Sequence, residues 1–190
     1  SIKLKKTPNA YLLTGIRGVG KTTTARLIAK ALNCIKNIDE TKKCNSESFC
    51  ESCKDIVESN HIDILEMDAA SKTGIDDIRE LIENSKYSPS SAQYKIFIID
   101  EVHMLSKQAF NGLLKTLEEP PPRLKFILAT TEVRKIPVTI LSRCQRFDLK
   151  RVNLQVLLAH LKKISEKEEG KISENALKLV ARASEGSVRD

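Results

Sequence analysis

A three-layer α/β fold around a parallel sheet, giving way to helices alone after about residue 150, is the architecture this sequence predicts. Ile96-Phe97-Ile98-Ile99 and Phe126-Ile127-Leu128-Ala129 have few polar alternations, as strands covered on both faces do, and such runs alternate with helical periodicities. A glycine-rich turn joins the first apolar run to the first helical pattern. From Arg151 onward only helical patterns remain.

Ala10-Tyr11-Leu12-Leu13-Thr14 is the first expected strand. Beyond the glycine turn, Ala25, Ile28, Ala29 and Leu32 recur at i, i+3, i+4, i+7 and mark one face of a helix. A polar, cysteine-bearing loop is expected from about Asn33 to Cys53, then a strand over Ile62–Met67. Thr73 and Asp76 have the spacing of a capping box for a helix reaching about Asn84. Lys95–Ile99 is the next strand. Ser106 is placed to cap a helix that Pro120-Pro121-Pro122 must stop, with Phe110, Leu113, Leu114 and Leu117 on its apolar face and Lys107, Asn111 and Lys115 opposite. Strands follow at Phe126–Ala129 and Arg143–Leu149, and Asn153 and Ser173 open two final helices ending near Gly170 and Gly186.

Composition narrows the possibilities. Of 190 residues, 41% are hydrophobic, enough to bury a core, and 30% are charged. No apolar run approaches the ~18 residues that span a bilayer, and the basic start has no signal-peptide segment. No membrane partner and a cytoplasmic location are therefore expected. The net charge of +7 is uneven: residues 1–54 carry 11 basic and 4 acidic side chains, 55–119 carry 6 and 13, and 120–190 carry 15 and 8. Two basic ends suit a polyanion such as nucleic acid, and equally suit plain solubility. The chain begins with Ser and stops in mid-pattern at Asp190, so it is expected to be part of a longer protein.

Gly15-Ile16-Arg17-Gly18-Val19-Gly20-Lys21-Thr22 fits G-x-x-x-x-G-K-[ST], and Thr23 follows it. Glycines let successive N–H groups, including those of Val19 and Gly20, point inward at phosphate oxygens, with the positive end of the next helix aimed at the same anion. Lys21 would reach the β- and γ-phosphates, and Thr22 would supply a hydroxyl to magnesium. The apolar strand ending in Asp100-Glu101 completes that chemistry, since ligands of parallel sheets sit at the carboxyl ends of the strands. Asp100 would hold magnesium through water, and Glu101 would act as general base on an attacking water. Thr130-Thr131 ends a neighbouring strand, where a hydroxyl could meet the γ-phosphate or merely close a strand. His61, His103 and His160 are scattered and define no metal site, with His103 read as structural.

Four of the five cysteines, Cys34, Cys44, Cys50 and Cys53, fall within twenty residues, and Cys144 stands apart. Four thiolates suit a structural, tetrahedral zinc, which contributes on the order of 10 kcal/mol to ordering a loop. Cys50-x-x-Cys53 also has the spacing of a redox pair, and buried unreactive thiols remain a third reading.

Taken in order, Gly15–Thr22, the cysteine loop, Asp68-Ala69-Ala70-Ser71, Asp100-Glu101-Val102-His103-Met104-Leu105, Leu114–Pro121, Leu128–Thr131, Ser142-Arg143-Cys144 and Gly186-Ser187-Val188-Arg189-Asp190 resemble the gamma/tau family of bacterial DNA polymerase III clamp-loader ATPases, within the AAA+ group. The resemblance covers essentially the whole chain. It implies an AAA+ P-loop NTPase core over residues 1–150. That core would have a five-stranded parallel sheet with helices on both faces and a zinc-binding insertion at residues 34–53. The start of an all-α lid domain would follow over 151–190. By the same resemblance Thr131 senses the γ-phosphate, Arg189 contacts it from the lid, and Arg143 is a finger completing a neighbouring subunit's site. The implied cofactors are ATP, Mg²⁺ and Zn²⁺. The implied partners are other clamp-loader subunits in a ring-like assembly, a sliding clamp and primed DNA, with Lys72, Lys107 and Lys115 as candidate DNA contacts. The activity would be ATP hydrolysis coupled to DNA replication, within a holoenzyme that is a nucleotidyltransferase.

The sequence departs from the family's pattern in three ways. The gap between Cys44 and Cys50 is longer than the usual two residues, only nine residues precede the first strand, and no collar follows Arg189. Weak nucleotide binding by this segment alone is expected, because part of the family's longer N-terminal segment helps hold the adenine, and little turnover, because the finger must come from another chain. A non-catalytic, stator-like clamp-loader subunit is the alternative, and intact Gly15, Gly20, Lys21, Thr22, Asp100 and Glu101 argue against it. A helicase reading of Asp100-Glu101-Val102-His103 leaves the cysteines unexplained.

Overall fold

The structure, a computed structural model, describes residues 7–34, 44, 49–71, 74–170 and 172–189. Five strands, β1 (Ala10–Thr14), β2 (Ile64–Asp68), β3 (Lys95–Asp100), β4 (Leu124–Thr130) and β5 (Gln145–Asp148), form one sheet in the order β2-β3-β4-β1-β5. All its pairings are parallel. The helices are α1 (Lys21–Asn33), α2 (Glu51–Val57), α3 (Ile75–Ser85), α4 (Lys107–Glu118), α5 (Val138–Leu141), α6 (Leu154–Lys167) and α7 (Glu174–Ala183).

Alternation along the central strands sorts the core into two layers. Ala10, Leu12, Phe97, Ile99, Phe126 and Leu128 pack with Ile78 and Leu81 of α3, Phe110 and Leu113 of α4, and Ile140 of α5. Tyr11, Leu13, Ile96, Ile98, Ile127 and Ala129 pack with Ala25, Ala29 and Leu32 of α1 and with Ile56 of α2. Right-handed crossovers account for the division: the connection from β1 to β2 runs one way along the sheet, and those through α3, α4 and α5 run the other. Helices therefore cover both faces. The centre is sealed, with every residue of β1 and β4 buried. The edges are not: β5 is exposed throughout and β2 is only partly covered, so the two-sided burial expected of every strand holds for the interior of the sheet alone.

Three helix starts follow the expected caps. The Ser106 hydroxyl accepts from the N–H of Ala109, Asn153 from Gln155 and Ser173 from Ala176. The fourth does not. α3 begins after Gly74 with no side-chain cap, and Asp76 pairs with Arg79 at 2.9 Å instead of reaching back, while Thr73 lies outside the described residues. Two short helices are additions to the expected elements: α2 begins inside the expected cysteine loop, and α5 lies between two expected strands. The last two helices bury Leu157, Leu177 and Ala181 between them and return the chain to the core. There Val152 N–H donates to Gly186 O (3.1 Å) and Val188 N–H donates to Gly18 O (3.0 Å).

Candidate nucleotide and metal sites

The carboxyl ends of β1, β3 and β4 and the first turn of α1 surround a cavity of about 1080 Å³. The glycine turn enters it by way of two tight approaches. A Cβ on Gly15 would lie 2.7 Å from Leu149 O, and one on Gly18, whose φ is +73°, would lie 1.9 Å from Ser187 Oγ. Only glycine lets the turn pass between the end of β5 and the C-terminal helices. Gly20 then precedes α1, so the helix's free N–H groups open toward the cavity, with Thr22 and Thr23 on its wall.

Lys21 is 5% exposed. Its ammonium donates to Gly15 O (3.3 Å) and Ile16 O (3.1 Å) and stands 3.8 Å from Glu101 Oε1. A buried cation held largely by carbonyl oxygens is primed to take a stronger anionic partner. The Thr22 hydroxyl donates to Asp100 Oδ2, joining the glycine turn to the acidic strand tip. Glu101 has a left-handed backbone, φ +44°, which turns its side chain away from the line of β3. Its Oε2 accepts from the N–H and the hydroxyl of Thr131 at 3.1 and 3.0 Å. Thr130 is fully buried and its hydroxyl accepts from Glu132 N–H, so of the two threonines Thr131 is the one that lines the cavity.

Gly18, Gly20, Lys21, Thr22, Thr23, Asp100, Glu101, Thr131 and Arg189 are thus brought to one cavity. Gly15 and Val19 support the turn from behind. Arg143 is elsewhere: it pairs with Glu118 at the end of α4 and donates to Thr139 O (2.7 Å), outside the cavity wall. Lys107 and Lys115 are exposed on α4, away from the cavity. Lys72 lies outside the described residues. Sequence reasoning missed Asp68, which is the end residue of β2, pairs in register with Asp100 and lines the same cavity. The sequence marked it only within the Asp68-Ala69-Ala70-Ser71 stretch, and its place beside Asp100 comes from the register of the two strands. It also missed Arg26 of α1, which forms a double contact with Glu66 at 2.7 and 2.8 Å; that bond raises the guanidinium's pKa above its ordinary value.

A second cluster lies behind α1. Cys34 closes that helix, Cys50 precedes α2, and Cys53 sits in its first turn. With Cys44 they place four Sγ atoms within 4.8 Å of one another. Tetrahedral zinc–thiolate bonds require sulfurs about 3.8 Å apart, so the donor set fits zinc after a small contraction. Burial alone would raise the Cys50 thiol, but hydrogen bonds from the Cys53 N–H and the neighbouring thiols hold it below its ordinary value. Burial and the same neighbours push Cys53 up. Cys144 packs against the core, and burial pushes its thiol up to about 11.

This geometry is that of the P-loop, AAA+ fold. Among solved structures the fold is shared with the RuvB Holliday junction branch migration motor of Thermotoga maritima (TM-score 0.65, 20% identity, 99% of this chain and 53% of that one). It is also shared with a DNA polymerase III gamma subunit-related protein of the same organism (TM-score 0.58, 22% identity, 99% and 56%). The family described as DNA polymerase III, delta subunit, matches residues 1–153, and the clamp loader subunit ATPase lid domain matches 157–190. DNA polymerase III subunit gamma/tau of Mycoplasma genitalium is 51% identical over 190 residues, all of this chain and 31% of that protein. Subunit tau of Bacillus subtilis is 49% identical over 186 residues (98% and 32%), and subunit gamma of a Buchnera aphidicola strain is 48% identical (100% and 50%). The chain belongs to the gamma/tau clamp-loader subunits of DNA polymerase III. It spans between about a third and a half of the length of these relatives.

Proposed function

We propose that this chain is the ATP-hydrolysing motor region of a bacterial replicative clamp loader, working in the cytoplasm with other loader subunits, a sliding clamp and primed DNA. The observation that carries this reading is the contact between Thr22 and Asp100, which joins the glycine turn to the acidic strand tip, as a single magnesium triphosphate site requires. Lys21 exchanges its carbonyl contacts for the β- and γ-phosphates. Thr22 and Asp100 would hold Mg²⁺, whose charge would offset that developing on the phosphates. Glu101 takes the proton of the attacking water, with Thr131 holding one of its oxygens, and Arg189 reaches the γ-phosphate from the lid. The chain divides near residue 150, the α/β core over 1–150 and the lid over 151–190. Arg143, free of its own cavity, serves a neighbour's site.

Hydrolysis removes the γ-phosphate contacts that bias the assembly toward its clamp-opening form. Lys107 and Lys115 suit contact with DNA phosphates, and Lys72 is retained from sequence alone. Within the nucleotidyltransferase holoenzyme this chain supplies ATP hydrolysis. The match to the delta-subunit family favours a stator-like second reading over 1–153, but every group that ATP chemistry needs is intact. Full-length protein with Lys21→Ala is expected to lose ATP-dependent clamp loading altogether. Loading at the unsubstituted rate would refute the motor assignment.

A further inference from the structure

His103 follows Glu101 by two residues, in a short turn that leaves β3 over Val102–Met104. Its side chain is 6% exposed, it lines the cavity, and its polar neighbours are Glu101, Thr130 and Glu132. Nδ1 lies 3.0 Å from Thr130 Oγ1 and 3.3 Å from Glu101 Oε2. Nε2 lies 3.4 Å from Glu132 Oε1. Nδ1 is thus hydrogen-bonded to the Thr130 hydroxyl, with Glu101 Oε2 standing beside that contact.

That oxygen is the one already taken by the N–H and hydroxyl of Thr131. Oε2 is thus fully committed to the tip of β4, and Oε1 is left facing Lys21 and the cavity. We propose that His103 is a positioning residue for the hydrolytic step. Held to Thr130 at Nδ1, it stands against one oxygen of Glu101 and joins that carboxylate to the Thr130–Glu132 segment, so that the other oxygen alone is presented to the attacking water. The inference rests on the ATPase reading above and adds to it a residue of the cavity wall that acts through Glu101. A contact with a charged group that is needed only when the proton moves should affect turnover and leave ground-state binding alone.

The test uses the full-length protein in its loader assembly. Three variants, His103→Ala, His103→Asn and His103→Gln, are compared for turnover and for affinity toward a slowly hydrolysed ATP analogue. His103→Ala is expected to lower turnover about ten- to a hundredfold with analogue affinity within about twofold of the unsubstituted protein. The Asn amide nitrogen falls where Nδ1 was and the Gln amide nitrogen falls nearer Nε2, so Asn is expected to recover most of the loss and Gln little of it. A role in packing alone would not separate the two amides. Equal turnover in the Asn and Gln variants overturns the proposal even where the Ala variant is too unstable to assay. So does unchanged or faster turnover in His103→Ala. Unsubstituted assembly and Lys21→Ala are run alongside: no turnover by the unsubstituted assembly overturns the ATPase reading itself, whereas normal turnover with an unaffected His103→Ala overturns only this one.

Discussion

Asp63 lies just before β2, 2% exposed, and its carboxylate accepts from the backbone N–H groups of Ser90, Ser91 and Ala92 at 2.8–2.9 Å and from the Ser91 hydroxyl at 3.1 Å. Burial alone would raise its pKa, but these four donors outweigh burial and hold the carboxyl below its ordinary range. The unfolded chain has an ordinary carboxyl, so the stabilisation is complete above that range and fades as pH falls through it toward the lower native value. Asp63→Asn is expected to cost about 1–3 kcal/mol, because an amide offers one acceptor oxygen where the carboxylate offers two. In the full-length protein this should appear at neutral pH as a fall in Tm of about 3–10 °C, with a flatter loss of stability on acidification. An unchanged Tm and acid profile would show that the Ser90–Ala92 turn stands without it. Nothing in the sequence marked this aspartate. Its partners are some thirty residues away, and a carboxylate before a strand reads as solvated unless the fold is known. Lys21, Thr22, Asp100 and Glu101 were legible because their spacing within short motifs encodes their geometry. Asp68 needed the register of two parallel strands, which no local pattern records.

Elements show the same limit in another form. The long helices were read because several turns of periodic burial accumulate along them, as in α1 and α4. α2 has seven residues, too few for a periodic signal, and owes its place to what surrounds it. It buries Ile56 against α1 and the sheet, and it offers Cys50 and Cys53 to the thiols of Cys34 and Cys44. Metal should therefore hold α2 in position. Elemental analysis of purified protein is expected to find about one zinc per chain. Cys53→Ser, which removes the most buried of the four ligands, should lose it together with several kcal/mol of stability. Chelation at neutral pH should reproduce the loss and added zinc should reverse it. Folded, metal-free protein in which all four thiols react freely would remove the metal and leave α2 held by Ile56 alone.

At the scale of the whole molecule, the fold gathers most groups of the proposed hydrolytic site at one cavity and points one charged group, Arg143, elsewhere. Thr131 and Arg189 reach the cavity from the end of β4 and from the turn after α7, whereas Arg143, just before β5, donates to Thr139 O and pairs with Glu118 outside the cavity wall. That ion pair is partly exposed, so its two charges are screened and a better anion can displace it at small cost. Were Arg143 to serve its own cavity, Lys21→Ala and Arg143→Ala would damage one site in two ways, and mixing the two variants would restore nothing. If it serves a neighbour, each variant supplies what the other lacks: the Arg143→Ala chain keeps an intact cavity, and the Lys21→Ala chain keeps the arginine. Random mixing makes about one interface in four productive where subunits meet head to tail. Each full-length variant alone is expected to lose about 10³-fold or more in turnover, the scale of an arginine finger in related enzymes. An equal mixture should recover about a quarter of the unsubstituted rate, and dilution that separates the subunits should abolish it. A mixture no faster than its components would assign Arg143 to its own chain.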